Sequence, residues 1–162
     1  MKNAFFLSVF IFLLVSCKKE TNPEFSGNAT MKINGNATQM RIESVWPFAS
    51  NIVNVKFSGE NSINLNLTIQ KTGDIERNKN TNFPFGITSG DNAGASLVTE
   101  GISGEYVFVT SPKTLGVEQG SVNISKWTDN EVEGSFNFIA VGQSKTDVKV
   151  NVTEGKFYVK RK

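Results

Sequence analysis

From Ile63 to Gln70 apolar and polar residues alternate without a break, with Ile63, Leu65, Leu67 and Ile69 on one side and Asn64, Asn66, Thr68 and Gln70 on the other. Side chains of an extended chain point alternately to opposite faces, so this segment predicts a strand with one face in a core and the other in water. The same period runs from Val132 to Ala140, where Val132, Phe136, Phe138 and Ala140 oppose Glu131, Glu133, Ser135 and Asn137. It recurs in Asp147 to Val152, with Val148, Val150 and Val152 inward. Beyond that point the apolar set moves one step, to Phe157 and Val159. A bulge at Glu154-Gly155 accounts for the step, with Gly155 expected to take a left-handed conformation; the alternative points Tyr158 inward.

Further strands are predicted at Ala29 to Ile33, Ala37 to Glu43, Ile52 to Phe57, Ala95 to Glu100, Glu105 to Thr110 and Ser121 to Trp127. The Asn34-Gly35 pair between the first two is a strong hairpin signal. Pro47, Pro84 and Pro112 fall between the runs, where a missing amide hydrogen breaks no ladder. No stretch of a dozen residues carries a helical stripe. Short strands punctuated by turns predict an all-β fold, an antiparallel sandwich with a partly closed barrel as the alternative. The last forty residues read as a three-strand meander, because their connections are too short for a crossover.

The amino terminus has a different pattern. Lys2 precedes an apolar run from Ala4 to Val15, followed by Ser16 and Cys17, the only cysteine of the chain. Twelve helical residues span about 18 Å against a hydrocarbon thickness of about 30 Å, so the run suits a secretory signal better than a membrane span. Leu14-Val15-Ser16-Cys17 resembles the lipobox of bacterial lipoproteins, which implies cleavage after Ser16 and acylation of Cys17. Several acyl chains anchor a protein stably where one binds only marginally. Residues 17–26 then form a lipidated cysteine and a polar tether, and 27–162 a single domain. Removing the signal from 162 residues leaves 146, enough for one core.

A wider resemblance rests on Lys32-Ile33-Asn34-Gly35, on Val132-Glu133-Gly134-Ser135-Phe136-Asn137-Phe138 and on Val152-Thr153-Glu154-Gly155-Lys156-Phe157. With the lipobox and tether, these segments look like a family of small bacterial lipoproteins classified as a domain of unknown function. The resemblance implies a β fold and lipoprotein status, and no activity. Lys18 is not the aspartate that retains lipoproteins at the inner membrane, so the outer membrane is the expected site, on a face the sequence leaves open.

Composition narrows the chemistry. There is no histidine, so imidazole-based nucleophile systems and imidazole metal sites are excluded. Lipidation removes the thiol and with it any disulfide. Once the signal is gone 16 basic residues face 15 acidic ones, and no basic stripe is interleaved with aromatics, which argues against nucleic acid. Gly90 to Gly104 is glycine-rich without leading into a helix and reads as a loop rather than a phosphate cradle.

Two candidate sites remain. Glu131 and Glu133, with Asp129, lie about 7 Å apart along one face of a strand, a spacing compatible with a carboxylate-pair glycan hydrolase or a weak calcium site. The row Asn64, Asn66, Thr68 and Gln70 offers amides and hydroxyls to a ligand, with Trp46, Phe48 and Trp127 as an aromatic platform. No cofactor is implied. The reading that follows is a non-enzymatic envelope lipoprotein, membrane-held through Cys17, that binds a protein or glycan partner. A carbohydrate-binding accessory lipoprotein is second, and the hydrolase third.

Overall fold

The computed structural model describes residues 25–46, 52–72, 80–85, 91–110, 119–128 and 130–162. The signal segment, Cys17, Asp129, Phe48 and most of the tether lie outside them. Ten strands are present and, among the described residues, no helix: β1 (Phe25–Ile33), β2 (Asn36–Trp46), β3 (Ile52–Gly59), β4 (Asn64–Gln70), β5 (Thr81–Pro84), β6 (Asn92–Ile102), β7 (Glu105–Val109), β8 (Gly120–Trp127), β9 (Glu131–Gly142) and β10 (Lys149–Arg161).

The sheet runs β10-β1-β2-β3-β4-β6-β7-β9, and β9 pairs with β10, so eight strands close into an antiparallel barrel. Of the two closures compatible with the sequence, the barrel is the one formed, and it closes fully. The β8-β9-β10 meander is as expected. The far edge of β9 is shared: β8 covers Val132 to Phe138, and β7 meets Val141 and Gly142. β5 extends the sheet beyond β8 and returns to β6 through a parallel bridge from Phe85 to Ala93.

Closure follows from pairings and bulges rather than from alternation. β1 pairs with β10 from Phe25↔Arg161 to Ile33↔Val152, which joins the ends of the domain. Register shifts lie between β1 and β10, β2 and β3, β6 and β7, and β8 and β9, and each bulge adds the coil a closed sheet needs. Asn34 and Gly35 both have positive φ, 48° and 88°, as a hairpin turn of this kind requires. The turn is fastened to β10, because the Asn151 amide donates to Asn34 Oδ1 at 2.9 Å and the Asn34 amide donates to the Asn151 carbonyl at 2.8 Å.

The interior is filled. Phe57 on β3 reaches across the lumen to Phe157 on β10, with ring centroids 6.2 Å apart, and Phe136 lies 6.3 Å from Phe157 and 6.1 Å from Phe138. Phe85 meets Phe138 edge-on at 5.3 Å. Eight strands enclose a space that side chains just fill, and these five rings occupy it. Outward positions hold Asn54, Lys56, Asn66, Thr68, Ser135 and Lys156. Exposed Ile52, Val98, Tyr106 and Ile139 are interspersed among them.

Four sequence readings are corrected. β1 begins at Phe25, two residues inside the expected tether. The strand expected at Ala95 to Glu100 is present and longer, since β6 runs from Asn92 to Ile102, so the loop reading of Gly90 to Gly104 does not hold there. β5 was not foreseen, and Pro84 sits within it rather than between strands; its one ladder partner, β8, leaves the other edge of β5 free of pairing at Pro84, which suits a residue without an amide hydrogen. At the β10 bulge the left-handed residue is Glu154, with φ 52°, and not Gly155. The bulge itself is present, and Phe157 and Val159 point inward with Tyr158 half-buried on the outside.

Candidate functional site

The β4 row is outward, as expected, but parts of it are already bonded. Thr68 Oγ1 donates to Asn54 Oδ1 at 2.5 Å, and Asn64 Nδ2 donates to the Ser62 carbonyl at 3.0 Å. Asn66 lies between Lys56 and Ser96, and Gln70 between Ile52 and Asn92. Trp127 is not brought to this row as a platform. Trp127 is 5 % exposed and belongs to the core, on β8, which pairs with β9 and β5 and not with β4. Trp46 ends β2 opposite Asn54, and its side chain is outside the described residues. The sequence could not separate a platform tryptophan from a core one, because Trp127 follows Lys126 at a bulge where alternation lapses.

The carboxylates of β9 are held differently from each other. Lys126 Nζ contacts Glu131 Oε2, Lys160 Nζ lies 3.8 Å from Oε1, and the Tyr158 hydroxyl donates to Oε1 at 3.2 Å. The hydrogen bond from Lys126 holds the Glu131 carboxyl below the usual range, and the charge of Lys126 adds to it. Glu131 in turn raises Lys126. Burial and then the neighbouring Glu131 charge push the Tyr158 phenol up. A general acid needs the opposite setting, a carboxyl kept protonated near neutral pH. Glu133 stands exposed beside Tyr158 in the register. Among the described residues no three Asp, Glu, Cys or His side chains converge as a metal site.

Two further carboxylates tie loops together. Asp91 Oδ1 accepts from the Thr72 amide at 2.8 Å and the Thr72 hydroxyl at 2.9 Å, and those bonds lower its pKa. Glu105 is buried, with 4 % exposure. Its Oε1 accepts from the amides of Tyr106 and Val107 at 3.0 and 3.1 Å, and its Oε2 from those of Ser144 and Lys145, both at 2.8 Å. The bond from Val107 leads the causes that lower its pKa, against the opposing effect of burial. Glu105 thereby clamps the start of β7 to the β9-β10 loop. The alternation of the sequence gives no sign of this residue, because Phe108 is the inward member of β7 and stands out of phase with it.

Several depressions are lined by described residues. One of about 270 Å³ lies at the end of the barrel that carries the β1-β2, β3-β4 and β6-β7 turns, lined by Asn34, Thr38, Asn61 and Thr99 over Ile33, Ile63 and Ile102. A second, of about 250 Å³, adjoins it and shares Thr38, Asn61 and Ile63. A third, of about 410 Å³, is a groove on the barrel wall across β1, β10, β9 and β8. It brings Glu133 and Tyr158 together with Asn28, Thr30, Ser135 and Lys156, which sequence reasoning did not single out. The signal was the phase step at Gly155, which turns Tyr158 outward once β9 and β10 are paired.

No family model, no curated protein and no solved structure matches the chain.

Proposed function

We propose that the chain is a non-enzymatic lipoprotein of the bacterial cell envelope, held at the outer membrane through acylated Cys17, which binds a protein or glycan partner on its surface. The observation that carries this reading is the filled lumen: with Phe57, Phe136, Phe138 and Phe157 packed across it, a partner meets the outside of the barrel. Attachment to the membrane rests, in this reading, on the amino-terminal segment and acylated Cys17. β1 begins eight residues after Cys17, a reach of at most about 28 Å, which keeps the barrel near the bilayer. The resemblance of Leu14-Val15-Ser16-Cys17 to a lipobox supports the same assignment.

The carbohydrate-binding accessory reading is favoured by the hydroxyl- and amide-lined groove on the wall. The hydrolase reading loses support from Glu131, which its lysine neighbours keep charged.

The tether is tested by expressing the full chain and its Cys17→Ser variant in a Gram-negative host. The unaltered protein is expected to sediment with membranes and enter a detergent phase. The variant is expected in the aqueous phase with an unchanged melting temperature. A variant that stays with the membrane to the same extent contradicts the anchor.

A further inference from the structure

We propose that the groove across β1, β10, β9 and β8 is a binding site for a neutral, hydroxyl-rich saccharide, with Tyr158 as the stacking platform. This rests on the reading of the chain as a surface-binding module and names its ligand class.

The register builds the site. Asn28, Tyr158 and Glu133 stand abreast on neighbouring strands, and Thr30, Lys156 and Ser135 stand abreast in the next outward row. The short side chains of Thr30 and Ser135 leave the space, while Tyr158 and Lys156 flank it. The outside of a barrel is convex, so a depression of about 410 Å³ there needs such a pattern, and its size is that of a small-molecule site.

Its chemistry selects hydroxyls. A sugar ring has an apolar face of C–H groups and a rim of hydroxyls that both donate and accept. Lys156 supplies donors only, Glu133 acceptors only, and Thr30, Ser135 and Asn28 supply both. Asn28, Thr30, Ser135 and Lys156 make no side-chain hydrogen bond or ion pair with another described residue, so their capacity faces the groove and solvent. On the β4 row, by contrast, Thr68 and Asn64 are committed to Asn54 and Ser62. Tyr158 is held before any ligand arrives, its hydroxyl on Glu131 and Glu131 between Lys126 and Lys160. A platform fixed in advance loses little freedom on binding.

Other occupants fit less well. An extended peptide binds by adding to a sheet edge, yet β1, β10 and β9, which carry most of the groove, are each paired on both sides. A protein partner buries about 800 Å² per side around several apolar anchors, and here Tyr158 stands among Asn28, Thr30, Glu133, Ser135 and Lys156. An anion would meet the Glu133 carboxylate beside Tyr158.

The test is calorimetric titration of the full lipoprotein in detergent with cellohexaose, xylohexaose, mannohexaose and maltohexaose as probes. At least one is expected to bind with Kd in the micromolar to millimolar range. Tyr158→Ala is expected to weaken it at least tenfold, and so is Ser135→Trp, which fills the groove from an exposed position and keeps the fold. Asn66→Ala, on the β4 row, is expected to leave it unchanged. Binding equally strong in both groove variants overturns the site, and no binding of any probe overturns the ligand class. In that event a photo-crosslinker at Ser135 separates two failures. A protein captured there in cells leaves the surface-binding reading standing without the sugar, and no capture at any outward position removes that reading too.

Discussion

Gly155→Ala is expected to destabilise the barrel by about 3 kcal/mol or more, whereas Glu154→Gly leaves it within about 1 kcal/mol of the unaltered protein. A Cβ at Gly155 would lie 2.4 Å from two ring carbons of Phe136 and 2.5 Å from its carbonyl oxygen. The ring has no room to retreat, because it stacks on Phe138 and leans on Phe157. Glu154 is the residue with the left-handed backbone, so glycine there relieves strain. What Glu154→Gly removes is an ion pair with Lys32 at 2.6 Å, mostly exposed and worth little. Urea denaturation of both variants tests the assignment. Equal losses at the two positions, or a greater loss at Glu154, would show that backbone conformation rather than ring packing fixes the glycine.

The second large effect is expected at Glu105. Glu105→Gln keeps the size of the side chain but sets an amide NH2 against backbone N–H donors, where the carboxylate accepted from four. Two of those amides lose their partner inside the clamp, and a fall in Tm of about 10 °C is expected. The same residue shapes the response to acid. Its pKa is lowered in the folded state, so the unfolded chain takes up the proton first as pH falls. The stability it contributes is complete above the usual glutamate range and is lost as pH falls towards the native value. Tm measured from neutral pH down to about pH 3 should therefore drop more steeply in the unaltered protein than in Glu105→Gln. Parallel curves would mean that Glu105 carries no such linkage.

The strands were legible in proportion to their alternation. Ile63 to Gln70 and Val132 to Ala140 declare an inward and an outward face, and both are in the structure as read. Alternation does not say which sheet closes on which, because a sandwich and a barrel bury the same face. That choice lies in the pairing of Phe25 to Ile33 with residues near the carboxyl end, a contact without local trace. β5 escaped because four residues ending in proline make too short a pattern, and Gly94 and Gly101 hid the ends of β6, of which the pattern shows only Ala95 to Glu100. Gly101 lies beneath the Tyr106 ring with φ 111°, so that glycine answers a local contact rather than a break in the strand.

The candidate sites divide along the same line. Asn64, Asn66, Thr68 and Gln70 could be placed on one face from period alone. Whether those groups remained open to a ligand depended on Asn54 and Ser62, neighbours that only the register supplies. For Trp127 the ordinary place of an aromatic in a β fold, the core, is the one it takes. Glu131 and Glu133 were correctly set side by side. Their unlike environments come from Lys126 and Lys160, one on each flanking strand.

The proposed reading rests on acylation of Cys17. The direct measurement is intact mass spectrometry of the protein extracted from host membranes with detergent. The expected species begins at Cys17, lacks residues 1–16 and carries the added mass of acyl chains on that residue. A mature protein with an unmodified Cys17 thiol, or a chain that retains residues 1–16, would contradict it.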